Sequence, residues 1–339
     1  MQDMLRIETK GSWHQMGCQI GETFRDELAT CVERYFYGRL DVDKCAPAIK
    51  ILHDIVSEHC PEMIEETEGM SQGAGIEPNV MLGYRFFNEV KQRMVEECSV
   101  MFMAQTPDGP LLGRNCDLGS GDSNMQICHV SRPADGPAAI TTSYLGMPGQ
   151  GLSSYGLAVG GASAHAAKSF GTDGLPAAVL SHLLRRDCRT VQDAIALLGR
   201  HKFLGKGANV IVGDATGASV LFEFVPGCSP PATLRRDDRD WQACTNFFFS
   251  TEIPNRPKAD YLENAYARYG RIEHQLEERR IPQSFDTLKQ LLSDIAQPGH
   301  CCAEGALHTA YSTIMNPKKG TLHLAAGNPN EVAFEEFSL

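Results

Sequence analysis

The sequence changes its pattern abruptly at Cys98. Upstream of it, apolar residues such as Ile20, Phe24 and Leu28 recur every three or four positions, which is the period of an amphipathic helix. Residues 98–104 read CSVMFMA, an apolar run without that period, and such a run is typical of a strand covered on both faces. We therefore predict that residues 1–97 are almost wholly helical and that strands follow from Cys98, an order that is compatible with an α+β fold.

The rest of the chain is predicted to run from sheet to helix and to close with strands. Residues 106–110, TPDGP, have the composition of a turn, so the first strand and a return strand from Leu111 are expected to form a hairpin. Further strands are predicted at residues 126–131, 139–144, 156–160, 209–212, 219–225, 312–315 and 322–325. Helices are predicted at residues 11–37, 46–59, 79–94, 175–185, 191–201, 261–276 and 285–295, with a short one beginning at Pro61.

Composition narrows the classes of partner. The 339 residues include 31 lysines and arginines against 42 aspartates and glutamates, a formal net charge of −11. An acidic surface repels phosphate backbones and anionic lipids, so neither nucleic acid nor membrane is expected as a partner. The opening of the chain lacks the apolar run of a signal peptide, and no stretch of about 18 uncharged apolar residues occurs. We expect a cytoplasmic protein.

The twelve cysteines predict neither a disulfide framework nor a metal site. They are scattered over a long chain, whereas disulfide-rich folds are short and secreted. No C-x-x-C pair occurs, and the neighbouring thiols of Cys301 and Cys302 cannot easily converge on one tetrahedral ion. Most cysteines are therefore expected to be buried small hydrophobic residues, and we expect no metal or other cofactor.

Cys98 would acquire an unusual chemistry if the peptide bond between Glu97 and Cys98 were cut. It would then carry a thiol and a free α-amino group, which titrates at about 8 when unperturbed. The thiolate is the reactive form of cysteine, and the adjacent amine can act as its general base, so no histidine is needed. One residue would supply both nucleophile and base.

A site of this kind needs an anion for the ammonium group, a cation for the thiolate and donors for the developing oxyanion. The return strand of the hairpin reads GRNCD at residues 113–117, so it can bring Arg114 and Asp117 back beside Cys98. We expect these three residues to cluster.

Several motifs carry a resemblance to a known family. Residues 11–22, GSWHQMGCQIGE, are similar to its G-x-x-x-x-x-G-x-Q-x-G-E opening, and residues 61–76, PEMIEETEGMSQGAGI, to its P-E-x-x-E-E-x-x-G-x-A-x-G-A-G element. Arg114 and Asp117 follow Cys98 by sixteen and nineteen residues, the spacing of the G-R-N-x-D element. The chain resembles the acyl-CoA:isopenicillin N acyltransferase-like family, the C45 peptidases, which are N-terminal-nucleophile (Ntn) hydrolases related to choloylglycine hydrolase and acid ceramidase.

The resemblance implies a role for each site residue. Arg114 would polarise the thiolate and Asp117 would bind the α-amine. The segment CTNFF resembles the family's T-N-H-F element, so the amide of Asn246 would donate to the oxyanion, with Phe247 in place of the usual histidine. His308 stands near the position where some relatives have an arginine, and it would replace that arginine in the substrate pocket.

The resemblance also implies a fold, a substrate site and a maturation step. The fold would be a four-layer αββα sandwich, with the small residues Ala162 and Ser163 lining the substrate site. Cys98 would attack the carbonyl of Glu97 in the precursor, which is thus a zymogen, and autoproteolysis would give a helical chain, residues 1–97, and a catalytic chain, residues 98–339. Both would belong to one domain. The substrate would be a small N-acyl amine or non-peptide amide, and a homo-oligomer is allowed.

Other interpretations stay open. A single cysteine in an apolar strand is usually a buried residue that serves only for packing. Arg114 and Asp117, taken alone, could be an ordinary ion pair. The chain could keep this fold as an unprocessed, non-catalytic binding protein. A cysteine protease of another fold could use one of the eleven histidines, although none has a recognisable context. The segment GMPGQG at residues 146–151 lacks the order of a phosphate-binding loop and is interpreted as a loop bordering the pocket.

Overall fold

The computed structural model describes residues 4–38, 42–86, 96–119, 125–164, 174–204, 207–225, 232–234, 239–253, 259–296, 299–302 and 307–339. Its strands are β1 Leu5–Gly11, β2 Glu96–Met103, β3 Leu111–Gly119, β4 Gln126–Pro133, β5 Ala139–Tyr144, β6 Gln150–Ser153, β7 Leu157–Ser163, β8 Leu175–Pro176, β9 Phe203–Leu204, β10 Ala208–Asp214, β11 Ser219–Phe224, β12 Ala232–Leu234, β13 Trp241–Cys244, β14 Leu307–Asn316, β15 Thr321–Ala325 and β16 Glu335–Ser338. Its α-helices are α1 Trp13–Thr23, α2 Arg25–Cys31, α3 Val42–His59, α4 Pro61–Ala74, α5 Pro78–Arg85, α6 Ala177–Asp187, α7 Val191–Leu198, α8 Ala259–Glu273 and α9 Phe285–Leu292.

Most strands belong to two sheets. The large sheet has the strand order β1-β4-β5-β6-β7-β10-β11-β12, and the small sheet has the order β13-β2-β3-β14-β15-β16. Neighbouring strands are antiparallel in both sheets, except that β1 runs parallel to β4. The predicted hairpin of residues 98–104 with a return strand from Leu111 is β2 and β3, at the centre of the small sheet.

The two sheets are stacked, with helices outside each of them. Between the sheets lies an apolar core that includes Val100, Leu112, Ile140, Ala158 and Ile211. A second core joins the outer face of the large sheet to α1–α7, and a third joins the outer face of the small sheet to α8 and α9. The four-layer αββα sandwich predicted from the resemblance is thereby confirmed.

Helices α1 and α4 pack in unusually close contact, and the glycines of the two N-terminal motifs explain why. A Cβ atom added at Gly17 or Gly21 would collide with backbone atoms of α4, and one added at Gly69 or Gly73 would collide with backbone atoms of α1. Only glycine allows backbones to approach this closely. Helix α1 is capped by Ser12, whose side chain accepts from the backbone N–H of Gln15 in a capping box.

Two expectations for residues 1–97 were wrong. Residues 5–11 form β1 rather than helix, because they pair along their whole length with β4, a partner more than a hundred residues away. The predicted helix at residues 11–37 is divided into α1, α2 and a π-helical turn at Val32–Tyr37. Of the helix predicted at residues 79–94, α5 ends at Arg85, and residues 87–95 lie outside the described ranges. Within those ranges no helix is long and apolar enough to cross a bilayer.

Candidate active site around Cys98

Cys98 lies in β2 with its side chain in the core between the two sheets, and only 1% of its surface is exposed. Successive residues of a strand point to opposite faces. Cys98 and Val100 therefore face the large sheet, whereas Ser99 and Met101 face the outer helices.

Arg114 holds the sulfur of Cys98. Its Nη2 donates to Sγ at 3.3 Å, its Nη1 donates to the hydroxyl of Tyr311 at 2.7 Å and its Nε donates to the carbonyl of Gly161 at 3.0 Å. Burial opposes the charge on Arg114, but the adjacent Tyr311 and Cys98 groups raise its pKa well above the usual value. A charged guanidinium is thus fixed against the thiol.

The backbone of Cys98 is held by side chains where a strand partner ends. Strand β13 stops at Cys244, which pairs with Val100, so the edge of β2 beyond that point has no strand of the described residues beside it. The N–H of Cys98 donates to Oδ1 of Asn246 at 3.0 Å, and its carbonyl accepts from Nη1 of Arg268 at 2.8 Å. These two side chains replace the missing ladder bonds.

Asn246 uses its amide nitrogen elsewhere. Its Nδ2 donates to the carbonyl of Ser163 at 2.8 Å, while its Oδ1 also accepts from Arg268 Nη2 at 2.8 Å. The orientation of the amide follows from these donors, because Oδ1 faces two N–H groups. In the uncut chain, the donor expected for the oxyanion is thus bonded to the protein backbone.

Asp117 pairs with Glu97 across the hairpin and is fully buried. Its Oδ1 accepts from the hydroxyl of Thr309 at 2.6 Å, and among the described residues its Oδ2 has no hydrogen-bond partner. Burial raises the pKa of Asp117 to about 6, although the nearby Arg268 acts against that rise. The two residues expected beside Cys98 are therefore separated, because Arg114 and Asp117 point to opposite faces of β3.

Arg268, on α8, was not found from the sequence. It is fully buried and, besides Cys98 and Asn246, it donates to Ser99 Oγ at 2.8 Å and to the carboxylate of Glu97 at 3.2 Å. A signal did exist: Arg268 falls three residues after Ala265 and four before Ile272, on the apolar stripe of the helix. A cation on a buried stripe indicates a buried anion or carbonyl partner.

Two of the residues predicted to bind substrate line a cavity of about 180 Å³, which we call the inner cavity. Ala162 and Ser163 form part of its wall, together with Arg114 and Tyr311. His308 is not among the described residues of that wall. It lies at the start of β14 opposite Leu118, and burial lowers its pKa.

Comparison with known protein families gives a match over about two thirds of the chain. The profile of the acyl-coenzyme A:6-aminopenicillanic acid acyl-transferase family matches residues 104–331. This chain belongs to that family. The resemblance noted in the sequence to an acyltransferase family is thereby confirmed.

Solved structures with some similarity to this chain include those of two bacterial proteins. A mutant of the conjugated bile acid hydrolase from Clostridium perfringens has a TM-score of 0.46 at 10% identity, over 71% of this chain and 97% of that one. Penicillin V acylase from Agrobacterium tumefaciens has a TM-score of 0.40 at 13% identity, over 68% of this chain and 82% of that one. Comparison with curated protein sequences gives no match.

Proposed function

We propose that this protein is a self-processing amidohydrolase or acyltransferase whose nucleophile is the thiol of an N-terminal Cys98. One observation carries the proposal: the sulfur, the nitrogen and the carbonyl of Cys98 are each held by a different polar side chain. These are Arg114, Asn246 and Arg268. Every buried backbone N–H and carbonyl needs a partner, but a cysteine that serves only for packing does not need a cation on its sulfur.

In the proposed maturation, the Cys98 sulfur attacks the carbonyl carbon of Glu97. A carbon–sulfur bond forms, the bond to the Cys98 nitrogen breaks, and the thiol proton passes to that nitrogen. Water then hydrolyses the thioester, which restores the thiol and leaves a carboxylate on Glu97. Arg268 supports this step because it contacts the residues on both sides of the bond, Glu97 and Cys98.

Maturation would give Asp117 a partner. The new α-amine, with a pKa of about 8 when unperturbed, needs an anion to hold its protonated form. Asp117 lies opposite the cut residue and has an Oδ2 without a described partner. Once Glu97 is detached, the amine can turn from Asn246 towards this carboxylate.

The proposed reaction then takes place at the wall of the inner cavity. The thiolate, stabilised by Arg114, attacks the acyl carbonyl of the substrate, and the ammonium group of Cys98 gives its proton to the departing amine. Asn246 Nδ2 donates to the carbonyl of Ser163, a residue of the cavity wall, and would turn to the oxyanion. Water or a second amine attacks the thioester and releases the acyl group. We propose a small N-acyl amine or non-peptide amide as substrate, and a cytoplasmic location.

One observation favours the competing function, a non-catalytic protein that stays uncut. Cys98 is nearly unexposed, and it is not among the described residues that line the inner cavity. In this alternative Arg114, Asn246 and Arg268 serve only to satisfy buried backbone and thiol groups.

The mass of the purified protein distinguishes the two functions. We expect the wild type to give fragments that begin at Met1 and Cys98, and Cys98→Ala to stay intact. Cys128→Ala, which removes another buried thiol of the core between the sheets, is the matched control and should be cut normally. A wild-type chain that persists at full length would favour the non-catalytic protein. Acid or amine release from a panel of N-acyl amines, seen with the wild type and absent in Cys98→Ala, then tests the reaction.

A further inference from the structure

A second cavity lies on the other face of the large sheet, beneath α1, α4 and α6. We call it the helix-side cavity, and its volume is about 70 Å³. Apolar residues, among them Ile20, Met63 and Ile127, form part of its wall. Its charged and titratable lining residues are Glu66, Arg85, His129, His182, Arg185 and Arg186.

The residues that line this cavity include more cations than anions. They are three arginines and one carboxylate, and burial lowers the pKa of both His129 and His182, so neither histidine adds a firm positive charge. Arg85 is paired with Glu66. Arg186 is paired with Glu62 and Asp187 behind the wall.

Arg185 is left without a counter-ion among the described residues. It is only 7% exposed, and no carboxylate of that part of the chain lies within ion-pair distance of it. Its Nη1 donates to two neutral acceptors, the carbonyl of Gly149 at 2.7 Å and Ser181 Oγ at 2.8 Å. Its Nε and Nη2 donate to no described residue. Burial lowers the pKa of Arg185 to about 10, so it stays charged at neutral pH.

The helix-side cavity adjoins the inner cavity. Residues 147–149 form part of both walls, as do Arg85 and Ser143. Arg185 holds this shared segment through the carbonyl of Gly149, and Ser181, its other acceptor, lines the inner cavity. The guanidinium therefore lies at the segment that the two cavities share.

We propose that the helix-side cavity is a carboxylate-binding subsite in which Arg185 supplies the paired donors. A planar guanidinium whose Nε and Nη2 groups are both unused fits a carboxylate, and a buried cation without a counter-ion is stabilised by an anion that enters. The volume of the cavity is sufficient for a carboxylate head group. The anion is either the carboxylate of the substrate, in which case the inference rests on the proposed function, or a free small carboxylate.

Binding is tested without catalysis in the full-length Cys98→Ala protein. Isothermal titration with sodium acetate and sodium benzoate is compared with acetamide and sodium chloride. We expect saturable binding of one carboxylate per chain, and no binding of acetamide, which has the shape of acetate without its charge. Arg185→Met should weaken carboxylate binding by about tenfold to a hundredfold, the factor for losing hydrogen bonds to a charged group. The exposed Arg200, changed to Gln, is the control for net charge.

The variant also reports on its own folding. Because Arg185 leaves no unpaired counter-ion behind, R185M should lose only the hydrogen bonds to Gly149 and Ser181, so its free energy of unfolding should fall by no more than about 1–3 kcal/mol. Arg185→Lys keeps the charge but lacks the planar, paired N–H donors of the guanidinium, so it should bind the carboxylate more weakly than the parent does. If the Cys98→Ala protein itself binds no carboxylate, or if R185M binds it as well as the parent, the subsite is refuted whatever the variants do to stability.

Turnover by the processed wild type identifies the source of the anion. N-acyl amino acids are compared with N-acyl amines that match them but lack the carboxylate. If the substrate supplies the anion, R185M raises KM for the first group alone and leaves kcat near the parent value. If a free carboxylate supplies the anion, R185M changes turnover of both groups of substrates equally, and added acetate changes the rates for both groups. Either result supports the subsite. Absence of processing or turnover would contradict the proposed function and leave the titration result standing.

Discussion

Arg114 and Asp117 lie on one strand, β3, and point to opposite faces of the small sheet: Arg114 donates to the sulfur of Cys98, and Asp117 lies opposite Glu97. The group that would stabilise a thiolate and the group that would bind an α-amine are thus divided by the plane of the strand. Cutting the chain before Cys98 would free its nitrogen to move between these environments. Because the two groups lie on opposite faces, substitutions of Arg114 and Asp117 should have different effects.

Asp117 should make the stability of the uncut protein depend on pH. Burial raises its pKa to about 6, whereas an unfolded aspartate titrates at about 4. Between these values the folded state binds more protons, so stability falls as pH rises from about 4 to about 6. In the Cys98→Ala background, Asp117→Asn should therefore raise the free energy of unfolding by about 2–3 kcal/mol more at pH 7.5 than at pH 4.

Urea unfolding at both pH values measures this difference. The same substitution at the exposed Asp240 is the control. An effect of Asp117→Asn that does not change with pH would contradict the raised pKa. In the processed enzyme the sign should reverse, because the α-ammonium group would lose its proposed anion, and activity should fall.

Arg268 should be required for processing. Arg268→Gln leaves the Glu97 carboxylate, which is nearly buried, without its cation, and breaking such a pair costs about 3–5 kcal/mol. We expect precursor cleavage, followed by mass spectrometry, to slow strongly. Arg268→Lys keeps the charge but has fewer directed donors, so it should restore cleavage only in part. Arg271→Gln, on the same helix and paired with Asp294, should be cut at the normal rate.

Arg114 should set the reactivity of the processed thiol. Without its cation the thiolate is less favoured, so Arg114→Gln should shift the alkylation of Cys98 by iodoacetamide to higher pH. We also expect amide turnover to fall by about a hundredfold or more, as when other preorganised electrostatic groups are removed. Tyr311→Phe removes one hydrogen bond of the guanidinium. It should therefore lower the free energy of unfolding by about 1 kcal/mol. An unchanged alkylation profile in Arg114→Gln would disprove this role.

Gly69 should be irreplaceable for packing rather than for chemistry. Gly69→Ala would press a methyl group into the backbone of α1, so the free energy of unfolding should fall by about 2 kcal/mol or more. Gly270→Ala provides the matched control, because nothing lies within 4 Å of a Cβ atom added there. Gly270 is inside α8, where alanine should stabilise the helix by up to about 1 kcal/mol. Thermal unfolding of both variants gives the comparison.

Much of the local structure could be read from the chain. The hairpin of β2 and β3 follows from an apolar run, a turn and a return strand, which are neighbours in the sequence and pair with one another directly. The apolar stripe of α8 follows from its period, and the glycines of α1 and α4 stood out in the motifs. Local patterns determine which face of an element is buried, because side-chain period is a property of the backbone itself.

What the tertiary structure decided is which distant groups meet at Cys98. Its hydrogen bonds reach Asn246, 148 residues away, and Arg268, 170 residues away, and β1 pairs with β4 across a similar gap. Strand register and the stacking of two sheets fix such meetings, and neither leaves a mark in a short window of sequence. Arg185 shows the same limit, since whether a buried arginine has a counter-ion depends on every element packed around it.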